Sequence, residues 1–185
     1  MTASESWNVR VERRRRKTLG IRIMETGEIL VRAPLRMPER EIRQILESKR
    51  SWIEKTLEKV RIRALAPKLS EAELNALVRQ ARKVLLQKAA ERARQIGVTY
   101  GRISIRKQKT LWGSCSAKGN LNFNCLLMLC PEEVADYVIV HELCHRKELN
   151  HSPRFWAEVE RILPDYRQPL KWLKNEGQAV ISRIP

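Results

Sequence analysis

The chain has 185 residues and a formal net charge of +16, with 37 Lys and Arg residues against 21 Asp and Glu residues. This length suits one large domain, or one domain with a small appendage, and a hydrophobic content of 43% is enough for a core. Residues 1–11 have no apolar segment typical of a signal peptide, and the apolar runs are too short to span a bilayer. The sequence therefore predicts a soluble, cytoplasmic protein with no membrane partner.

The positive charge predicts an affinity for anions such as nucleic acid, nucleotides or acidic protein surfaces. The densest basic run is Arg13–Lys17, but basic residues are spread along the whole chain. No RNA-binding or DNA-reading motif is visible. The net charge alone is thus compatible with a nucleotide or a nucleic-acid partner but does not distinguish between them.

The first third of the chain is rich in strand patterns. Alternating apolar residues predict strands between Trp7 and Pro34, with a hairpin turn that places Gly27 at positive φ. Apolar residues at helical spacing then predict one helix from Pro38 to about Val60. We therefore expect a strand-rich N-terminal region with one helix over residues 1–66. A catalytic region would occupy residues 67–185, unless the two form one continuous domain.

A long helix is predicted next. Ser70 and Glu73 have the spacing of a capping box, and an apolar stripe continues to Gly97, a suitable C-terminal stop. This helix is expected to act as a scaffold behind a sheet.

A hairpin is predicted after a strand that begins at Ile103. Its arms are Leu111–Ser116 and Leu121–Leu129, and period-two alternation along the second arm points Asn122 and Asn124 away from its apolar face.

Helices are predicted for most of the remaining chain. One should run from about Pro131 to Glu148, and another should begin at Ser152 and stop at Pro164. A last short helix should end near Gly177.

All three histidines lie in one stretch of eleven residues, as His141, His145 and His151. Residues four apart lie on one face of a helix, so the first two can share a Zn²⁺ ion, and His151 follows at a workable distance. Three protein ligands with one open position is the catalytic arrangement for zinc. Glu142 follows the first ligand and can serve as general base toward a metal-activated water. We expect one Zn²⁺ per chain.

The alternative is a pair of surface histidines with a solvated glutamate. The third histidine and the apolar residues flanking the motif favour the metal site. Three further residues are candidates for assistance. Glu158 could orient a histidine or act as a ligand, and Tyr166 or Arg167 could stabilise a developing oxyanion.

The cysteines show no metal-binding spacing and are expected to behave as small apolar residues. The alternative of Cys115 as a regulatory thiolate at the metal has little support.

Several short motifs together resemble the YgjP-like metal-dependent hydrolases, which are related to the WLM and SprT-like zinc metallopeptidases. The resemblance covers roughly Ile103 to Leu173 and is carried by Trp112–Ser116, Gly119–Leu121, Asn124, Tyr137–His145, Asn150–Pro153 and Phe155–Trp156. It implies an α+β, zincin-like fold, in which a small antiparallel or mixed sheet has a long backing helix and an HExxH active-site helix. It also implies zinc on the three histidines, with Glu142 catalytic.

By analogy with zincins, the Leu121–Leu129 arm or its partner is an edge strand that pairs with an extended substrate. The related WLM and SprT-like enzymes act on proteins attached to DNA, which would suit a basic surface.

These features favour a zinc-dependent hydrolase, and specifically a metallopeptidase acting on a protein or peptide substrate. A metal-dependent nucleoside triphosphate pyrophosphohydrolase or phosphohydrolase is the alternative that the charge motivates, although the sequence has no phosphate-binding loop. A third alternative is a non-enzymatic, basic module that binds nucleic acid and is stabilised by zinc.

Overall fold

The computed structural model describes residues 7–185 as a mixed α+β protein, which confirms the predicted class. The chain divides into two compact units between Ala66 and Pro67. Each unit contains a three-stranded sheet with one parallel and one antiparallel pair of strands. No helix within residues 7–185 is both long and apolar enough to cross a membrane.

The sheet of the first unit consists of β1 (Val9–Arg14), β2 (Gly20–Ile23) and β3 (Ile29–Pro34). β3 lies in the centre, parallel to β1 and antiparallel to β2. The predicted hairpin turn between β2 and β3 is confirmed, since Gly27 has φ of 82°. A positive φ is accessible to glycine at no steric cost.

Two helices follow where the periodicity predicts one, namely α1 (Glu39–Ser48) and α2 (Arg50–Leu65). The chain leaves helical geometry only at Lys49, with φ of −104° and ψ of 9°. Apolar residues of both helices pack in one core with β3, so helical spacing continues across the break. A break of one residue therefore leaves no trace in the apolar pattern, and the prediction of a single helix is wrong.

The second unit begins with the long helix α3 (Glu71–Ile96). Its predicted capping box is confirmed, because Ser70 and Glu73 each accept a hydrogen bond from the other's backbone N–H. Gly97 ends the helix in the left-handed conformation, with φ of 78°. The buried face of α3 packs against the apolar core of the second unit, which supports its predicted scaffold role.

The second sheet is formed by β4 (Ile103–Arg106), β5 (Gly113–Cys115) and β6 (Leu121–Asn124), in the order β4-β6-β5. The hairpin of β5 and β6 agrees with the prediction, but its second arm ends at Asn124 and continues as the 3-10 helix Cys125–Leu129.

Asn124 explains why the second arm stops there. Its side-chain oxygen accepts a hydrogen bond from the Leu126 N–H, while its amide donates to the carbonyls of Gln108 and Leu111. A short polar side chain that bonds the following backbone favours a turn over a continued strand.

Four helices complete the second unit: α4 (Glu132–Cys144), α5 (Pro153–Ile162), α6 (Arg167–Asn175) and α7 (Gly177–Ile181). α4 is mostly buried and contacts α3, α5, α6 and β5. It ends at Cys144, earlier than predicted, and residues 145–147 form a turn. The predicted last helix is α6, which ends at Asn175, close to the predicted end near Gly177. The short helix α7, which begins at Gly177, was not predicted.

Candidate metal centre

The three histidines come from the end of α4 and from the loop that leads into α5. His141 lies in the last turn of α4, and His145 keeps helical dihedral angles as the residue that caps it. His151 directly precedes Ser152, whose hydroxyl accepts a hydrogen bond from the Phe155 N–H and so begins α5. The start of α5 therefore fixes the position of the third histidine.

The structure brings all three predicted histidines together. One ring nitrogen from each lies within 4.8 Å of the others, and the two Nε2 atoms of His141 and His151 are 3.0 Å apart. The centroid of the His145 ring lies 5.0 Å from that of His141 and 4.9 Å from that of His151. The centroids of His141 and His151 are 4.9 Å apart, so the three rings form a nearly regular triangle.

Hydrogen bonds orient two of the rings. His145 Nδ1 lies 3.0 Å from the carbonyl oxygen of Glu148, which makes Nδ1–H the donor and leaves Nε2 with a free electron pair. His141 Nδ1 lies 3.4 Å from the Tyr137 hydroxyl. Neither hydrogen-bond partner was predicted from the sequence, since one is a backbone carbonyl and the other is a core tyrosine outside any recognised motif.

Aromatic side chains pack against the histidine rings. Phe155 stacks on His145 at 4.6 Å between centroids, and Trp156 stacks on His151 at 5.8 Å. Tyr166 in turn stacks on Trp156 at 5.4 Å. Stacked rings of this kind limit the rotation of the histidines, so that little ordering remains to be done when an ion binds.

The environment favours the uncharged form of two of the imidazoles, those of His141 and His145. Burial lowers the pKa of His141 to about 3, and the neighbouring histidines act in the same direction. Burial also lowers the pKa of His145. Neutral imidazole is the form that binds a metal, and three neutral imidazole donors fit a divalent transition-metal ion.

Glu142 lies beside the histidines on α4, and only 7% of its surface is exposed. Burial raises the pKa of its carboxyl to about 7, while the Cys115 backbone N–H acts against that rise by hydrogen bonding. A divalent cation nearby would lower this raised pKa. Glu142 is absent from the group of convergent ligand atoms, which leaves its carboxylate available for proton transfer.

Strand β5 approaches Glu142 very closely at Gly113. A Cβ atom built on Gly113 would lie 2.7 Å from Cγ and 2.8 Å from Oε1 of Glu142. Only glycine therefore lets this strand reach the carboxylate without displacing it. No local pattern predicts a steric need for this glycine, because its contact lies 29 residues further along the chain.

The three residues considered as assisting groups, Glu158, Tyr166 and Arg167, make contacts away from the histidine nitrogens. Glu158 pairs with Lys147 at 3.1 Å and with Arg161 at 2.9 Å, and it is not among the convergent ligand residues. Arg167 pairs with Glu160 at 3.4 Å and covers the ring of Tyr166. Tyr166 is buried in the aromatic stack described above.

All four cysteines are free thiols, and two of them, Cys125 and Cys144, are buried as predicted. Cys115 is half-buried, and burial raises the pKa of its thiol. A raised pKa is the opposite of what a reactive thiolate requires.

Comparison with known proteins identifies the family. A family model described as the YgjP-like metallopeptidase domain matches residues 17–78 and 63–176. The chain belongs to this family. The resemblance noted in the sequence is thereby confirmed. Metallopeptidases are hydrolases that use a divalent metal ion, and the three-histidine cluster fits such an ion.

Two crystal structures are similar to part of the chain. The metallopeptidase zymogen abylysin of Pyrococcus abyssi is 24% identical, with a TM-score of 0.45, and the match covers 50% of this chain and 96% of that one. The metallopeptidase zymogen jannalysin of Methanocaldococcus jannaschii is 22% identical, with a TM-score of 0.41, covering 47% and 93% of the respective chains. No curated protein matches the chain.

Proposed function

We propose that this YgjP-like protein is a zinc-dependent peptidase in which His141, His145 and His151 hold one Zn²⁺ and Glu142 is the general base. The observation that carries the proposal is the triangle of three ring nitrogens within 4.8 Å of one another. Imidazole suits zinc, and three protein ligands are the number found in catalytic sites, whereas structural sites have four.

The chemistry divides between the ion and the protein. A bound Zn²⁺ would supply Lewis acidity toward a water molecule and a substrate carbonyl. Glu142 accepts the proton of the attacking water and delivers it to the leaving amine. Its position is fixed because β5 passes directly over its side chain at Gly113. Its burial keeps bulk water away, which strengthens its interaction with charges in the site.

The substrate is expected to bind along β5. β6 is paired on both sides, by β4 and by β5, so it cannot accept another strand, whereas β5 lies at the sheet edge. Of the two predicted hairpin arms, only the first, which contains β5, can therefore pair with a substrate strand. An extended peptide added to β5 would run past Glu142. This arrangement, with an HExxH helix under an edge strand, is the zincin-like part of our proposal.

All of these residues belong to the second compact unit. We therefore propose that residues 67–185 form the catalytic region.

The test compares the wild-type protein with Glu142→Gln and with Glu133→Gln as a matched control. Glu133 is an exposed carboxylate on the same helix, so its substitution makes the same chemical change away from the histidines. Zinc content is measured by elemental analysis after dialysis. Activity is measured on unfolded proteins, on a peptide mixture and on nucleoside triphosphates.

We expect about one zinc per chain in all three proteins, with peptide hydrolysis lost only in Glu142→Gln. Removal of a general base costs about 10²–10⁴-fold in rate. Hydrolysis of triphosphates that depends on Glu142, without peptide cleavage, would instead establish the phosphohydrolase. Stoichiometric zinc with no turnover that depends on Glu142 would leave a zinc-stabilised binding module. Protein purified without any transition metal would contradict the metal site itself.

A further inference from the structure

The first unit presents an arginine-rich surface on the outer face of its sheet. In the strand register, Val9, Ile29, Val31 and Ile21 share the face that packs on the helices. The alternate positions carry four arginines on the opposite face: Arg10, Arg14, Arg22 and Arg32. We call this surface the arginine face.

All four arginines are exposed. Their side chains in β1 and β3 retain 54% (Arg10), 65% (Arg14) and 50% (Arg32) of their accessible surface, and Arg22 on β2 is also exposed. Adjacent strands lie about 4.8 Å apart and residues rise about 3.3 Å along a strand. The arginine face therefore measures about 10 Å across and about 13 Å along the strands.

The acidic residues on this face do not balance its charge. Glu12 alone faces three of the arginines, at 3.8 Å from Arg10, 3.2 Å from Arg14 and 3.6 Å from Arg32. The only other carboxylate paired with them among residues 7–185 is that of Glu28, 3.5 Å from Arg10. Immediately after β1, the loop adds three exposed basic residues, 15–17. The surface thus combines seven basic side chains with two acidic ones.

We propose that the arginine face binds the phosphodiester backbone of a nucleic acid. Guanidinium groups match phosphate oxygens with two parallel hydrogen bonds, which lysine cannot provide. Exposed ion pairs contribute only about 0–1 kcal/mol, so the arginines can exchange their shared carboxylate for phosphate at little cost. Along 13 Å, one nucleic-acid strand offers about four phosphates at a rise of about 3.4 Å.

The shape of the surface selects a polymer over a single nucleotide. The arginine face is a sheet surface, whereas small molecules bind in concave sites that enclose most of their area. Strands β1, β2 and β3 contain no aromatic residue on which a base could stack. Binding should therefore follow the backbone, with little dependence on base sequence. This inference does not depend on peptidase activity.

The test uses the full chain and two fluorescein-labelled 20-mers, a duplex DNA and a single-stranded RNA. Anisotropy gives the affinity at several KCl concentrations between 50 and 200 mM. One variant replaces all four arginines of the arginine face by glutamine. The matched control makes the same charge change on α3, where four exposed basic residues become glutamine: Arg79, Arg82, Lys83 and Arg94. Circular dichroism establishes that both variants fold.

We expect the arginine-face variant to bind at least 10-fold more weakly at 100 mM KCl, and the α3 variant to stay within about 3-fold of wild type. Each lost phosphate contact should reduce the salt slope by about 0.9 for duplex DNA and about 0.7 for a single strand. Comparison of the two probes shows which nucleic acid is preferred.

Three results would overturn the proposal. Equal losses in both quadruple variants would mean that only the diffuse charge acts. Absence of binding by the wild-type protein at 50 mM KCl would exclude a nucleic-acid surface. Equal affinity for poly-glutamate would show that any polyanion suffices. If the glutamine variant does not fold, lysine at the same four positions keeps the charge, and the proposal then requires weaker binding with an unchanged salt slope.

Discussion

Substituting alanine for Gly113 tests whether the close approach of β5 positions Glu142. The new methyl group would lie 2.7 Å from Glu142 Cγ, 2.8 Å from its Oε1 and 3.0 Å from Cγ1 of Val138. Carbon atoms in contact are normally about 3.5–4.0 Å apart, so the glutamate side chain must shift by about 1 Å. Gly113 does not have a positive φ, so the backbone itself accepts alanine.

Two effects of this substitution oppose each other. Crowding a packed site costs about 1–3 kcal/mol, whereas replacing glycine by alanine at a compatible backbone position stabilises by about 0.4–1 kcal/mol. We therefore expect the free energy of unfolding to fall by about 1–2 kcal/mol. Urea denaturation in the presence of a chelator measures this change without a contribution from bound metal.

A double-mutant cycle identifies the cause. In the Glu142→Ala background the two closest atoms are gone, so Gly113→Ala should cost at least about 1 kcal/mol less than in wild type. The same cost in both backgrounds would refute the steric account. In the wild-type background, a displacement of about 1 Å should also lower peptidase activity about 10²-fold, with the zinc content unchanged.

Two further substitutions test the surroundings of the site. Tyr137→Phe removes the hydroxyl next to His141 Nδ1 and should weaken zinc binding about 10-fold in a chelator competition, compared with Tyr100→Phe as control; an unchanged affinity would mean that the hydroxyl does not orient the ring. Asn124→Ala leaves the Leu126 N–H and two carbonyls without their partner, so the unfolding free energy should fall by about 2–5 kcal/mol. A loss below 1 kcal/mol in urea denaturation would show that water replaces these bonds.

The ligand triangle was predictable because its members are local in sequence. Helical spacing alone places His141 and His145 on one face, and His151 follows within a single loop. Gly113 and Cys115 were not predictable as neighbours of Glu142, since they arrive from another strand through tertiary packing. A single sequence carries no local signal for such a contact.

The same distinction holds for the fold. Features set within one turn of chain, such as the Ser70 capping box and the left-handed Gly97, agree with the structure. The prediction fails where one residue redirects the chain, as at Lys49 between two helices and at Asn124 where a strand ends. The apolar pattern continues through both positions, because the residues beyond each break still face a core.

Two polar side chains are buried among residues 7–185, and they are stabilised very differently. The amide of Asn124 is neutral and bonds three backbone groups, so its burial is fully compensated. Glu142 is an acid whose burial raises its pKa to about 7, with the Cys115 N–H as the hydrogen-bond donor that opposes the rise. A buried carboxylate is costly unless opposite charge lies close to it. The neutral imidazoles of His141 and His145 cannot supply that charge, whereas a divalent cation held by the three histidines can. The buried acid Glu142 thus lies where an ion bound by the histidines would stabilise it.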